Sequence, residues 1–171
     1  MQGWSRDLEA VIEAVTGTPG IDPDAVHCIG FSAGGAIASE VASREKKIAS
    51  LLLMATPYNF ADILPPDPKL IREHFIGLGT IRDKNFPEDL TGWYQNFLDV
   101  LPARYLPFVS PRPVQIVHGD QDTTVPPEHA RRLFEAAGRP KKIVILEGAG
   151  HQLRKDTRAE QIIRSWLKEV A

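Results

Sequence analysis

Two hydrophobic periods alternate along this chain. Trp4, Leu8, Val11, Ile12 and Val15 recur at helical spacing, and Gly17, Pro19 and Gly20 follow them. That pattern predicts an amphipathic helix that stops at the glycines. Residues 25–31 form a short apolar run and predict a buried strand, and residues 33–47 predict a helix with Ala, Ile and Val on one face. The next run, SLLLMA at residues 50–55, is almost wholly apolar, as expected of a strand covered on both faces of a parallel sheet.

The pattern changes between residues 57 and 113, where prolines accumulate. Two helices are predicted inside. One follows Asp67-Pro68, an N-cap with proline at the first helical position, and carries Ile71, Phe75 and Leu78. The other covers residues 88–101, with Leu90, Trp93, Tyr94, Phe97, Leu98 and Leu101 on one side. Alternation then resumes as a strand (114–118), a helix (127–137), a strand (142–146) and a helix (156–170). Strands alternating with helices imply an α/β fold, a parallel sheet of about four strands with flanking helices. Residues 57–113 read as a helical cap inserted over one end of that sheet, within a single domain spanning 1–171.

Composition narrows the partners. A length of 171 residues suits one domain with a real core. A formal charge of −2 offers no basic field for nucleic acid and no polybasic patch for a membrane. No apolar run is long enough to span a bilayer, and the first residues lack a secretory pattern. Cys28 is the single cysteine, so no internal disulfide framework is expected, and the expected compartment is the reducing cytoplasm.

Candidate chemistry begins where the first strand ends, in Gly30-Phe31-Ser32-Ala33-Gly34-Gly35. A dinucleotide fingerprint would need a third glycine where Ser32 stands and an acidic residue about 20 positions on; residues 50–55 hold no carboxylate. A P-loop would need a Gly-Lys-Ser/Thr ending, which is absent. What fits is G-x-S-x-G between a strand and a helix, a turn that holds a serine hydroxyl out at the sheet edge. The expected role of Gly30 and Gly34 is to remove Cβ collisions around a strained serine. The helix starting at Ala33 aims its positive end at that hydroxyl.

A serine needs a base, and the base needs an oriented acid. Asp120 and Asp122 lie in the loop after VQIVHG, and His151 lies in the loop after KIVILEG. Carboxyl ends of parallel strands open onto one edge, where sites form in such sheets. The order Ser, Asp, His is the one this architecture uses.

The segments GFSAGG, HGDQDTTVP and EGAGH resemble the three signature segments of the α/β-hydrolase superfamily. The layout is similar to its serine esterase, aminopeptidase and prolyl-oligopeptidase-like branches. The resemblance covers nearly the whole chain and is loosest over the insertion. It implies Ser32 as nucleophile, His151 as base, Asp122 at the H-G-x-x-D position as acid, and the Ala33 N–H as an oxyanion donor. Asp120 would support the loop. The implied reaction is cleavage of a carboxylic ester or related acyl bond in a small molecule through an acyl-enzyme, with no cofactor and no metal. The family pattern also has strands ahead of the elbow, and a loop supplying a second oxyanion donor, that have no counterpart before Ser32. The expected fold is therefore the C-terminal part of an α/β-hydrolase fold. Its first strand would be an exposed edge, met by a missing N-terminal segment or by self-association. The alternative reading is a non-catalytic remnant serving as a binding or assembly subunit.

Other side chains have plainer readings. Cys28 reads as a small buried hydrophobe, His27 as a sheet-face residue with a hydrogen-bond partner, and His118 as a brace for the acid loop. His74 and His129 lack partners at metal-ligand spacing. Phe31, Phe60, Phe75 and Trp93 are the candidates for lining an acyl pocket. Arg44-Glu45-Lys46-Lys47 and Arg131-Arg132 read as solvated helix surface.

Overall fold

A computed structural model describes residues 2–83 and 85–171. Strands β1 (Val26–Phe31), β2 (Ile48–Met54), β3 (Val114–Gly119) and β4 (Lys141–Leu146) pair in parallel in the order β1-β2-β3-β4. Helices α1 (Gln2–Thr16), α2 (Ala33–Arg44), α6 (Glu128–Ala136) and α7 (Thr157–Val170) accompany them. The apolar run of β2 is divided between two layers. Leu51 and Leu53 join Ile37 and Val41 of α2 and Leu133 of α6, whereas Leu52 and Met54 join Ala159 and Trp166 of α7. Alternate residues of a strand point to opposite faces, so a strand with a helix layer on each side must be apolar at nearly every position.

Three boundaries differ from the sequence expectation for local reasons. Helix α2 stops at Arg44 instead of continuing to Lys47, because Glu45 turns to an extended conformation and its carboxylate accepts the Lys47 N–H. Arg112 bridges the helix end to β2, donating to the main-chain oxygens of Ala42 in α2, of Glu45 just past it and of Ile48 at the start of β2. β2 starts earlier, at Ile48, and ends at Met54, since Ala55 adopts a positive φ of 48°. In the insertion, α3 (Pro68–Gly77) is capped by Asp67 and α4 (Leu90–Leu98) by Asp89. The second of these ends before Leu101. Pro102 starts a separate short helix, α5 (Pro102–Tyr105), followed by a 3₁₀ turn at Leu106–Val109, since the residue before a proline is pushed out of the helical region.

The sequence predicts one apolar face on α1, but the fold covers only part of it. Ile12 is buried and Leu8 partly buried, while Trp4, Val11 and Val15 remain exposed. Trp4 and Leu8 line a depression beside Cys28, Ile29 and Phe31 of β1, which among the described residues pairs with β2 alone and leaves Ile29 42% accessible. Ser32 donates its N–H to Met54 O. Alternation therefore turns the main-chain groups of Ile29 and Phe31 away from β2, to the open side. Among the described residues no helix is long and apolar enough to cross a membrane.

In the register, Phe31 lies opposite Met54, Met54 opposite Val117, and Gly119 opposite Leu146. The strands thus end at one rim, and the loops that follow β1, β3 and β4 meet there.

Candidate active site

Ser32 sits between β1 and α2 at φ 52°, ψ −126°, a conformation costing about 1–3 kcal/mol for a residue with a side chain. Crossing contacts hold it. A Cβ on Gly30 would collide with the Cα of Gly35, and a Cβ on Gly35 would collide with the Thr56 side chain. The first turn of α2 is therefore pressed onto the ends of β1 and β2. This corrects the motif-based expectation for Gly34, where a Cβ would meet nothing within 4 Å. Gly30 and Gly35 are the glycines that close approach requires.

The strained turn places Ser32 Oγ 3.1 Å from His151 Nε2, and His151 Nδ1 lies 2.8 Å from Asp122 Oδ2. An ionised carboxylate only accepts, so Nδ1 carries the proton and Nε2 is free to accept from the serine hydroxyl. The Asp122 side chain is fully buried. Its Oδ1 accepts the N–H groups of Thr124 and Val125 at 2.9 and 2.8 Å.

The loops carrying the acid and the histidine are joined to each other. Asp120 Oδ1 accepts the Gly148 N–H at 2.6 Å, and Gln121 donates its N–H to Ala149 O at 3.0 Å. Asp120 thus lies away from His151 and ties the loops together. Gly119 allows the same approach, since a Cβ there would collide with Ala149 O. No sequence pattern marks the partners of this junction, because they are 28 residues apart.

His118 is completely buried. Its Nε2 lies 2.8 Å from Val125 O, and 3.3 Å from Asp122 Oδ2. A carbonyl oxygen only accepts, so Nε2 carries the ring proton, and Nδ1 has no partner among the described residues. Burial pushes the His118 imidazole below its ordinary value of 6.5. Burial lowers His129 in the same way; its Nδ1 accepts the Tyr58 N–H at 2.9 Å. His27 Nδ1 pairs with Ser50 Oγ at 2.8 Å.

Phe31 packs against the His151 ring at 5.3 Å between centroids, with the Arg154 guanidinium 5.6 Å from the Phe31 ring. Phe60 is only 4% exposed and belongs to a core cluster with Ala36, Phe97 and Val100, against which Ala33, Phe75 and Trp93 also pack. Phe75 and Trp93 line a cavity of about 340 Å³ together with Trp4, Ile81, Phe86 and Phe97. The sequence placed Phe97 on the same helix face as Trp93 without marking it for a pocket, and Trp4 could not be foreseen there, because it arrives from α1. Among the described residues no group of three or more His, Cys, Asp or Glu side chains is placed to hold a metal ion.

Residues 2–159 match the model of the alpha/beta hydrolase family. An uncharacterized protein of Mycobacterium tuberculosis is 26% identical over 176 residues, which is 99% of this chain and 54% of that one. The uncharacterized protein YfhR of Escherichia coli is 23% identical over 151 residues, 87% of this chain and 46% of its own. The crystal structure of the esterase domain from a Rhodothermus marinus protein superposes with a TM-score of 0.69 at 20% identity, over 96% of this chain and 68% of that one. The chain spans about half the length of the two curated relatives. With its parallel sheet, its serine elbow and a family match over nearly its full length, this chain belongs to the alpha/beta hydrolase family.

Proposed function

We propose that the chain is the catalytic portion of a serine hydrolase acting on a carboxylic ester or related acyl bond. The observation that carries this reading is the unbroken series Ser32 Oγ, His151, Asp122, with contacts of 3.1 and 2.8 Å. His151 Nε2 takes the hydroxyl proton as Ser32 Oγ attacks the acyl carbon. Asp122 holds the ring in the tautomer that can accept it. The oxyanion meets the Ala33 N–H, which precedes the first intrahelical hydrogen bonds of α2, made by Gly35 and Ala36 to Ser32 O. The imidazolium then protonates the leaving group, and the neutral ring activates water against the acyl-enzyme. Ala33 packs on the aromatic cluster of the insertion, so we assign the acyl group to that side, with Phe75 and Trp93 in contact and Phe31 flanking His151.

A fluorophosphonate probe tests the reading. It should modify Ser32 in the folded chain, and Ser32→Ala should abolish the modification. Asp122→Asn should slow turnover of a chromogenic ester by on the order of 10⁴.

A second reading rests on a specific observation: among the described residues β1 is an edge strand, paired on one side only. A remnant that binds or assembles without turnover would stay unlabelled while folded. We assign the open edge to a strand of further polypeptide, since the relatives are about twice as long as the matched region. In this chain alone the Ile29 and Phe31 amides should then exchange rapidly with solvent. Protected amides in a dimer that Ile29→Lys dissociates would put a second copy there instead.

A further inference from the structure

Asp122 is held from two sides by imidazoles. His151 Nδ1 donates to Oδ2 at 2.8 Å, and the Nε2–H of His118 lies 3.3 Å from the same oxygen. The other oxygen is occupied by the Thr124 and Val125 N–H groups. Val125 closes the loop, since its own carbonyl accepts the His118 Nε2–H at 2.8 Å. His118 therefore touches the acid directly and also anchors the backbone that supplies one of the acid's donors. The carboxylate cannot turn without disturbing several of these contacts.

We propose that His118 is a positioning residue for the triad, a second imidazole that fixes the rotation of Asp122 so that Oδ2 faces His151. This deepens the serine hydrolase reading and rests on it for its kinetic consequence, though not for its geometry. The tautomer follows from the neighbours. A proton on Nδ1 has nothing to bond, because that atom is buried without a partner among the described residues, while the proton on Nε2 goes to the Val125 carbonyl at 2.8 Å with the carboxylate edge 3.3 Å from the same nitrogen. The titratable groups that interact with His118 are Asp122, His151 and His129. Asp122 alone among them is acidic, and its near oxygen already serves His151. A structural brace would need only the bond to Val125 O; the contact with Oδ2 is what makes His118 part of the acid's orientation.

Two variants separate these roles. The amide nitrogen of His118→Gln reaches close to the position of Nε2 and can replace the donor, whereas His118→Leu fills the space without one. The first readout is the deshielded proton magnetic resonance signal of the His151 Nδ1–H, which reports its hydrogen bond to Asp122 whether or not the chain turns over substrate. It should be lost or moved far upfield in His118→Leu and restored in His118→Gln. The second is ester hydrolysis: kcat should fall about 10- to 100-fold in His118→Leu, the range typical of groups that orient a functional histidine, with KM nearly constant and most of kcat recovered in His118→Gln. A folded His118→Leu with the wild-type signal and wild-type kcat overturns the proposal. If that variant does not fold, ¹⁵N shifts of the wild-type ring decide: a proton on Nε2 throughout pH 5–8 supports the proposal, and one on Nδ1 overturns it. A wild-type chain that shows the deshielded proton but never reacts with the fluorophosphonate defeats the hydrolase reading and leaves the assigned geometry standing.

Discussion

Replacing Gly35 by alanine puts a methyl group into the Thr56 side chain, at the point where α2 crosses the end of β2. Rotation of Thr56 does not clear the space. Its Oγ1 is in collision, and both its Cβ and its Cγ2 lie 2.9 Å from the new carbon. The helix must move away from the strand end, an overpacking that costs about 1–3 kcal/mol, against a gain of up to about 1 kcal/mol from helix propensity. Gly35→Ala should thus destabilise by roughly 1–2 kcal/mol and, because Ser32 is displaced with the helix, slow fluorophosphonate labelling more than stability alone explains. Gly34→Ala has nothing to meet within 4 Å and should be neutral or more stable by up to about 1 kcal/mol. Urea unfolding of both variants measures the difference. Combining Gly35→Ala with Thr56→Gly should recover part of the loss, a favourable coupling between touching sites. The packing account fails if the Gly34 variant is the less stable of the two, or if removing the Thr56 side chain rescues nothing.

Burial lowers His118 and His129 in the folded chain, so below the ordinary value of 6.5 the unfolded chain binds protons that the folded one does not. Stability should be fully present above pH 6.5 and fall as pH drops through it, with a slope of up to about 1.4 kcal/mol per pH unit for each imidazole. Urea titrations at pH 7.5, 6 and 5 should show this loss, and His118→Gln should flatten it; an unchanged slope in that variant would remove His118 as a cause. Arg112→Ala removes donors to Ala42 O, Glu45 O and Ile48 O and should cost about 2–4 kcal/mol by thermal unfolding, with Arg112→Lys recovering little of the planar fork. Burial pushes the Cys28 thiol up to about 11, so iodoacetamide at pH 7.5 should modify it at least about 100-fold more slowly than an unfolded control. Rapid modification of the folded chain would contradict its burial in the strand.

How much of the site was legible follows from the range of the forces involved. The run SLLLMA announced a strand with two covered faces because the demand for apolar residues at every position is local to that strand. Asp67-Pro68 announced a helix start because a cap bonds backbone only a few residues ahead. Ser32, Asp122 and His151 could be proposed together because parallel strands carry their following loops to one rim, whatever the details of packing. The same logic misjudged the end of α2, which Arg112 from a distant loop bridges to β2. It also treated the apolar stripe of α1 as a buried face, although Trp4, Val11 and Val15 remain exposed.

By itself the chain of residues determined the alternation of strands and helices, the strained serine turn and the candidates for nucleophile, acid and base. Each depends on spacing of two to four residues or on the direction in which parallel strands run. Only the tertiary structure decided that Gly35, and not Gly34, carries the close contact, that the partner of Asp120 is the Gly148 N–H, and that His118 Nε2 lies 3.3 Å from the acid itself. The loop tie and the acid–histidine contact depend on atoms brought within 2.6–2.8 Å by segments 28 and 29 residues apart along the chain. No local period encodes such distances; they are set when the helices close over both faces of the sheet.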